Sequence, residues 1–165
     1  MQISAGYHHT CAIVINLETS FTEPSPTHRY VKCWGRNDDG QLGLGDVENR
    51  GDDPFEMGNN LTYVDLDASG NGWIPMQVAC GGDHTCVLYD NGRIQCWGSN
   101  DLGALGSGHG QPRYSASLVK VGDQPMEMGS FLETVDLGTD LQGNEHFATS
   151  VAADYGTPAL HGVLT

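Results

Sequence analysis

The chain has 165 residues, 23 of them glycine, and a formal net charge of −14 at pH 7. The many glycines and the lack of long apolar runs favour short strands joined by tight turns over a helical bundle. Such an acidic surface repels a phosphate backbone, so no nucleic-acid partner is predicted. No apolar run reaches the ~18 residues that a membrane-spanning helix needs, so the chain is not expected to span a bilayer itself.

An internal repeat organises the chain. Three blocks recur in the same order: residues 3–11 as 78–86, 33–43 as 96–106, and 54–66 as 125–137. A degraded third copy begins near Gly143. The repeats predict three units, 1–74, 75–138 and 139–165, with loop insertions at 17–30 in the first and 109–117 in the second. Because Met1 to Gly6 fall inside a repeat and lack the features of a secretory signal, we expect a fragment or a missing precursor segment.

Each copy contains a predicted hairpin. In the second copy, β-rich runs at 85–89 and 93–97 flank Asp90-Asn91-Gly92, with glycine where positive φ is favoured. A second turn follows, with the pattern Asn-Asp-x-Gly-x-Leu-Gly. Roughly four short strands per copy predict an all-β fold, a partial β-propeller of four-stranded antiparallel blades. Propellers close with about 4 to 8 blades, so two and a half copies are too few to close alone.

The repeat resembles that of the regulator-of-chromosome-condensation family. Its blades carry a Gly-x-x-His-(Thr/Ser) strand, a Trp-Gly strand and an Asn-x-x-Gly-Gln-Leu-Gly turn. The matching residues of the first copy are Gly6, His9, Thr10, Trp34, Gly35, Asn37, Gly40, Gln41, Leu42 and Gly43. Those of the second copy are Gly81, His84, Thr85, Trp97, Gly98, Asn100, Gly103, Leu105 and Gly106, with Ala104 replacing Gln. The segment 50–58 resembles a subgroup with Cys-Trp-Gly repeats.

The resemblance implies a seven-bladed propeller that acts as a protein-binding platform. Roles known in the family include nucleotide exchange on a small GTPase, ubiquitin-ligase subunits, light sensing and inhibition of β-lactamase. Fold alone does not choose among them. Because this chain has too few blades, we expect further sequence to supply the rest, or another protein subunit to cover the open blade edges.

Some residues recur once per copy, and we interpret them as structural. Successive blades hold equivalent residues apart, whereas metal ligands must converge within ~2 Å of one ion. The histidines are therefore expected to make structural hydrogen bonds and the tryptophans to anchor the core. The recurring structural set is His9, His84, His146, Trp34, Trp97, Gly35 and Gly98.

The cysteines recur in pairs. A three-residue loop at 90–92 would place Cys86 opposite Cys96, whereas a two-residue loop would oppose Cys96 with Val87. In the third copy, Ala148 and Leu160 stand at both aligned places. This joint presence and absence favours disulfides Cys11–Cys33 and Cys86–Cys96 and an oxidising compartment, such as a secreted, periplasmic or organelle-lumen setting. The alternative is small buried thiols in a reducing compartment; Cys80 is the odd thiol.

No catalytic residue, cofactor or metal centre is predicted, and Cys-x-x-Cys is absent. Asp65, Asp67 and Ser69 imitate the start of a calcium loop, but Met76 stands where the bidentate Glu belongs, which favours an ordinary turn. Partner contacts are predicted at Trp73, Glu23, His28, Arg29, His109, Arg113 and Tyr114.

The favoured function is a non-catalytic interaction or scaffold module, a subunit or fragment of a larger assembly. One alternative is guanine-nucleotide exchange or other regulation of a small GTPase. Another is an extracellular carbohydrate- or calcium-binding surface protein.

Overall fold

The computed structural model of the chain describes residues 2–15, 29–66, 72–106, 120–154 and 158–159. Within these ranges the regular structure is all β, apart from three short 3₁₀ turns, at Gly58–Asn60, Asp101–Gly103 and Gly129–Phe131. The strands are β1 Gln2–Ala5, β2 His9–Ile15, β3 Arg29–Gly35, β4 Pro75–Cys80, β5 His84–Tyr89, β6 Ile94–Ser99, β7 Lys120–Val121, β8 Ala152–Ala153 and β9 Pro158–Ala159. None of the described segments is a helix long and apolar enough to cross a bilayer.

The strands form three antiparallel sheets in chain order: β1-β2-β3, β4-β5-β6-β7 and β8-β9. We call them blade 1, blade 2 and the third sheet. The first two share one register, since Thr10 pairs with Trp34 as Thr85 pairs with Trp97. This arrangement confirms the predicted partial propeller of antiparallel blades.

The fourth strand of each blade is shorter than expected. In blade 2 it is the two-residue β7, and in blade 1 it is a single bridge between Gly35 and Arg50. Gly51 and Gly122 follow at φ +94° and +95°. Backbone in this left-handed region leaves the extended path, so pairing ends there.

The hairpin of blade 2 has the three-residue loop on which the cysteine pairing depends. The Tyr89 N–H donates to the Arg93 carbonyl at 3.0 Å, and Gly92 lies at φ +78°. The register therefore opposes Cys86 with Cys96, as Cys11 opposes Cys33 in blade 1.

Two apolar cores lie between the sheets. The first forms between blades 1 and 2, where Cys11, Ile13 and Val31 face Val87 and Trp97. The second packs Leu88, Ile94 and Leu105 of blade 2 against Ala148 and Val151 of the third copy. Blade 2 therefore buries its two faces against different neighbours, the packing expected of a repeat that cannot bury a core alone.

A glutamine at the start of each blade clamps the next unit. The Gln2 amide donates to the Val78 carbonyl at 2.9 Å and accepts the Val78 N–H at 2.6 Å. The Gln77 amide makes the same pair of bonds with Val151, at 2.7 and 3.1 Å. The interpretation of the sequence missed this clamp, although Met1-Gln2-Ile3 and Met76-Gln77-Val78 extend the repeat by two residues.

Candidate functional site

The repeat histidine of blade 1 links the two blades. His9 Nε2 lies 2.8 Å from Thr85 Oγ1, and the Thr85 hydroxyl donates to the Gln41 carbonyl at 2.9 Å. The threonine proton is used on that carbonyl, so His9 must be the donor to Thr85. Burial lowers the pKa of His9 to about 4, which keeps the ring neutral at pH 7. This histidine is a structural hydrogen-bonding group, as its once-per-copy recurrence predicts.

The turn 37–43 supplies the other half of this contact. Asn37 Oδ1 accepts the Leu42 N–H at 2.9 Å, which closes the turn, and Trp97 Nε1 donates to the Gln41 carbonyl at 3.0 Å. A Cβ on Gly43 would lie 2.6 Å from Trp97 Nε1 and 2.9 Å from the Met128 methyl. Glycine at 43 is therefore required for the tryptophan to reach the carbonyl.

The second interface lacks this relay. His84 is buried, but no described residue hydrogen-bonds its Nε2. The pair Ala153–Pro158 of the third sheet repeats the pair Cys80–Thr85 of blade 2, and Gln77 bonds Val151 as Gln2 bonds Val78. Pro158, which has no hydroxyl, therefore stands in the place of the threonine. His146 is not the counterpart of His84, contrary to the repeat alignment predicted from the sequence. Burial lowers the pKa of His84, so this ring too stays neutral. His146 is half-buried.

Both predicted cysteine pairs are disulfides in the structure. Cys11–Cys33 and Cys86–Cys96 each span a hairpin with Cα atoms 4.1 Å apart. Cys80 is the free thiol; burial raises its pKa to about 11, so it stays protonated near neutral pH.

One set of metal-ligating groups comes together among the described residues. His9, Cys11 and Cys80 offer donor atoms within 4.8 Å of one another. However, the Cys11 sulfur is bonded to Cys33, and the Thr85 hydroxyl occupies the His9 Nε2 donor at 2.8 Å. The arrangement is therefore the packed interior of a blade interface, not a metal centre.

The outer face of blade 1 exposes residues that are buried in blade 2. Ile3 is 65% exposed, whereas its counterpart Val78 is 1% exposed. Met57 is 44% exposed and its counterpart Met128 is 7% exposed. Two further pairs of counterparts differ in the same direction: Thr10 and Trp34 of blade 1 are half-buried, whereas Thr85 and Trp97 of blade 2 are fully buried. We call Ile3, Thr10, Trp34 and Met57 the open face.

Two equivalent loops, 50–58 and 121–129, are each closed by a glutamate; we call them the rim loops. Glu56 Oε2 accepts the N–H groups of Gly51 at 2.8 Å and Asp53 at 3.1 Å. Glu127 Oε2 accepts those of Gly122 and Gln124 at the same two distances. Burial raises the pKa of the Glu127 carboxyl, while these donors act to lower it.

Each rim loop projects one apolar residue at positive φ. Phe55 lies at φ +72° and is 86% exposed, and Met126 lies at φ +69° and is 73% exposed. Sequence reasoning treated 50–58 only as a subgroup signature and missed this geometry. The signal was the Pro-x-Glu-Met-Gly spacing shared by both copies.

The predicted partner contacts are only partly described. Trp73 is half-buried, with its ring 5.5 Å from Tyr89 and the Arg93 guanidinium 5.8 Å from its centre, and its role as a partner contact stays a prediction. The Arg29 guanidinium, at the start of β3, donates to Met76 Sδ at 3.3 Å. The other five lie outside the described residues: Glu23, His28, His109, Arg113 and Tyr114.

The calcium prediction remains untested. Asp65 is exposed, and its backbone carbonyl accepts the Gly129 N–H at 2.9 Å. Asp67 and Ser69 lie outside the described residues.

Blades of one register, packed face to face through a buried histidine–threonine contact, define a segment of a β-propeller built from tandem repeats. Residues 31–88 and 77–104 match the family described as the regulator of chromosome condensation (RCC1) repeat. The chain belongs to this repeat family, as its motifs predicted. The Cys-Trp-Gly subgroup stays a prediction.

Several known proteins are similar to parts of this chain. It is 33% identical over 120 residues to the probable E3 ubiquitin-protein ligase HERC4 of Rattus norvegicus, a match that covers 73% of this chain and 9% of that one. It is 31% identical over 119 residues to the ultraviolet-B receptor UVR8 of Arabidopsis thaliana, covering 72% of this chain and 22% of that one. Among solved structures, Prp20p of Saccharomyces cerevisiae matches with a TM-score of 0.49 at 17% identity, over 94% of this chain and 29% of that one. The chain thus spans less than a quarter of either sequence relative.

Proposed function

We propose that this chain is a non-catalytic protein-interaction segment of a larger propeller assembly, and that the open face of blade 1 receives another blade of the same repeat. One observation carries the proposal. Every residue of the open face is exposed or half-buried in blade 1, while the equivalent residue of blade 2 is buried against blade 1.

The blade 1–blade 2 interface indicates what the incoming blade supplies. Its repeat histidine would donate to Thr10, as His9 donates to Thr85. The carbonyl of its turn would accept the Trp34 indole N–H, as the Gln41 carbonyl accepts that of Trp97. Covering Ile3 as completely as Val78 is covered would contribute about 1–2 kcal/mol of apolar burial.

The chemistry of the described residues supports a binding role. The buried histidines His9 and His84 are neutral and serve packing, and the Cys80 thiol is protonated. HERC4 is named a ubiquitin ligase and a Bos taurus relative a secretion-regulating guanine nucleotide exchange factor, but this chain covers 9% and 15% of their lengths. Of the roles that these names describe, a few blades could supply binding to another protein, as part of its regulation.

Site-specific photo-crosslinking tests the blade contact. A photoreactive benzoyl-phenylalanine replaces Ile3 in the full-length protein, and mass spectrometry identifies the crosslinked peptide. The matched control carries it at Leu141, a fully exposed apolar residue outside the open face.

The expected product at position 3 joins a peptide with the Gly-x-x-His or Asn-x-x-Gly-Gln-Leu-Gly motif of another blade. The control is expected to give no such product. Crosslinks from position 3 to peptides without the repeat, or no crosslink at all, would refute the contact.

A further inference from the structure

Comparing the two copies separates two classes of exposed apolar residue. Ile3 and Met57 are exposed because no blade covers them, since their counterparts are buried. Phe55 differs: its counterpart Met126 stays 73% exposed although blade 1 packs against that rim loop, where the Gly45 N–H donates to the Gly122 carbonyl at 3.1 Å. Exposure at 55 and 126 therefore belongs to the repeat itself and persists in a longer array.

The backbone at these two positions is held in place. A residue with a Cβ at φ near +70° is strained, and glycine or asparagine would be the relaxed choice. Glu56 and Glu127 nonetheless pin both loops through paired N–H donors. Each loop thus presents a large apolar side chain to solvent from a fixed backbone, which lowers the entropy that a partner must remove on binding.

The charges around Phe55 indicate the chemistry of the partner. Glu48, Asp52 and Asp53 are exposed carboxylates of this region. Of the cations of this region, Arg50 is paired with Asp46 at 2.6 Å, and Lys32 Nζ donates to the Gly58 carbonyl at 2.9 Å. The ion pairs elsewhere use Arg36, Arg93 and Lys120 in the same way. With a net charge of −14 and three exposed carboxylates in this region, the surface offers uncompensated negative charge beside Phe55.

We infer that the rim loops dock a lysine- and arginine-rich polypeptide segment whose apolar side chains pack on Phe55 and Met126. This inference rests on the proposed interaction function and specifies its partner. The carboxylates steer the basic segment, and the two apolar anchors hold it through buried contact.

Fluorescence anisotropy with a labelled peptide tests the inference. The probe is a lysine- and arginine-rich peptide with two phenylalanines, titrated with the full-length protein. Two comparison peptides replace its phenylalanines by serine or its basic residues by glutamate. The protein variant combines Phe55→Asn with Met126→Asn, because asparagine accepts positive φ and leaves the loop backbone in place. Leu141→Asn is the matched control.

We expect the double variant to weaken binding of the phenylalanine peptide about thirtyfold, the size of a single interface hot spot. The serine peptide should bind weakly to the original protein and show no further loss with the variant. Leu141→Asn should change nothing, and the glutamate peptide should not bind.

Equal binding by the variant and the original protein, equal binding of the serine peptide, or binding of the glutamate peptide would each overturn the inference. None of these results bears on the open face, because position 3 lies in β1 and its crosslink is read separately. A failed crosslink with an intact peptide result would overturn the blade contact alone.

Discussion

Thr85→Val removes one hydroxyl from the centre of the blade 1–blade 2 interface. That hydroxyl accepts from His9 Nε2 at 2.8 Å and donates to the Gln41 carbonyl at 2.9 Å. Valine has nearly the same shape, so the change leaves no cavity. It leaves the His9 N–H buried without an acceptor.

The expected loss follows from the two bonds. A buried donor left without a partner costs about 1–3 kcal/mol. The Gln41 carbonyl still accepts the Trp97 Nε1 hydrogen bond at 3.0 Å, so losing the bond from Thr85 costs it little free energy. We therefore expect Thr85→Val to lower the free energy of unfolding by about 2 kcal/mol.

The matched control is Thr149→Val, at an exposed threonine. This change should alter the free energy of unfolding by less than about 0.5 kcal/mol. Urea denaturation followed by tryptophan fluorescence measures both variants, with Thr85→Ser retaining the hydroxyl. Equal losses in Thr149→Val and Thr85→Val, or a serine variant as weak as the valine one, would refute the relay.

Further predictions concern pH, the disulfides and the rim loops. The folded pKa of His9 is about 4, below its ordinary 6.5, so the unfolded chain takes up the proton first as pH falls. The free energy of unfolding should therefore drop from pH 6.5 towards 4, by about 2 kcal/mol at pH 5. Urea titrations measure this drop, which should be smaller in His9→Gln. Replacing both Cys86 and Cys96 by serine should cost about 3 kcal/mol in urea denaturation, and a reductant should then have no further effect at that hairpin. Glu127→Ala should lower the thermal midpoint more than Glu56→Ala, because Glu127 is 8% exposed and its two N–H donors lose a buried acceptor; equal shifts would contradict this.

Repeat comparison was enough to predict the blades, because each block recurs with its turn residues in place. The register of Cys86 and Cys96 followed once the loop between them had three residues. The structural role of His9 was also predictable, since a once-per-copy residue cannot converge with its own copies on one ion.

Contacts between blades were beyond such reasoning. The partner of His9 is Thr85, 76 positions away, and nothing in a single repeat indicates which residue of the next copy it meets. The conformation of Phe55 was equally hidden, because a bulky residue at positive φ contradicts local preference. It is held by Glu56 and by the Asn60 amide, which donates to the Phe55 carbonyl at 2.6 Å. The shortened fourth strands follow from the backbone conformation at Gly51 and Gly122, which the predicted strand count did not consider.

No described residue hydrogen-bonds Nε2 of His84, which makes the joints of the array unequal. The joint between blades 1 and 2 has both the glutamine clamp and the hydrogen-bond relay. Among the described residues, the next joint has the clamp of Gln77, the Arg93–Glu145 ion pair and its apolar core, without the relay. Under a pulling force or in mild denaturant, blade 2 and the third sheet should therefore separate before blades 1 and 2 do. A chain built from near-identical units thus has a built-in order of opening, set by the loss of one threonine.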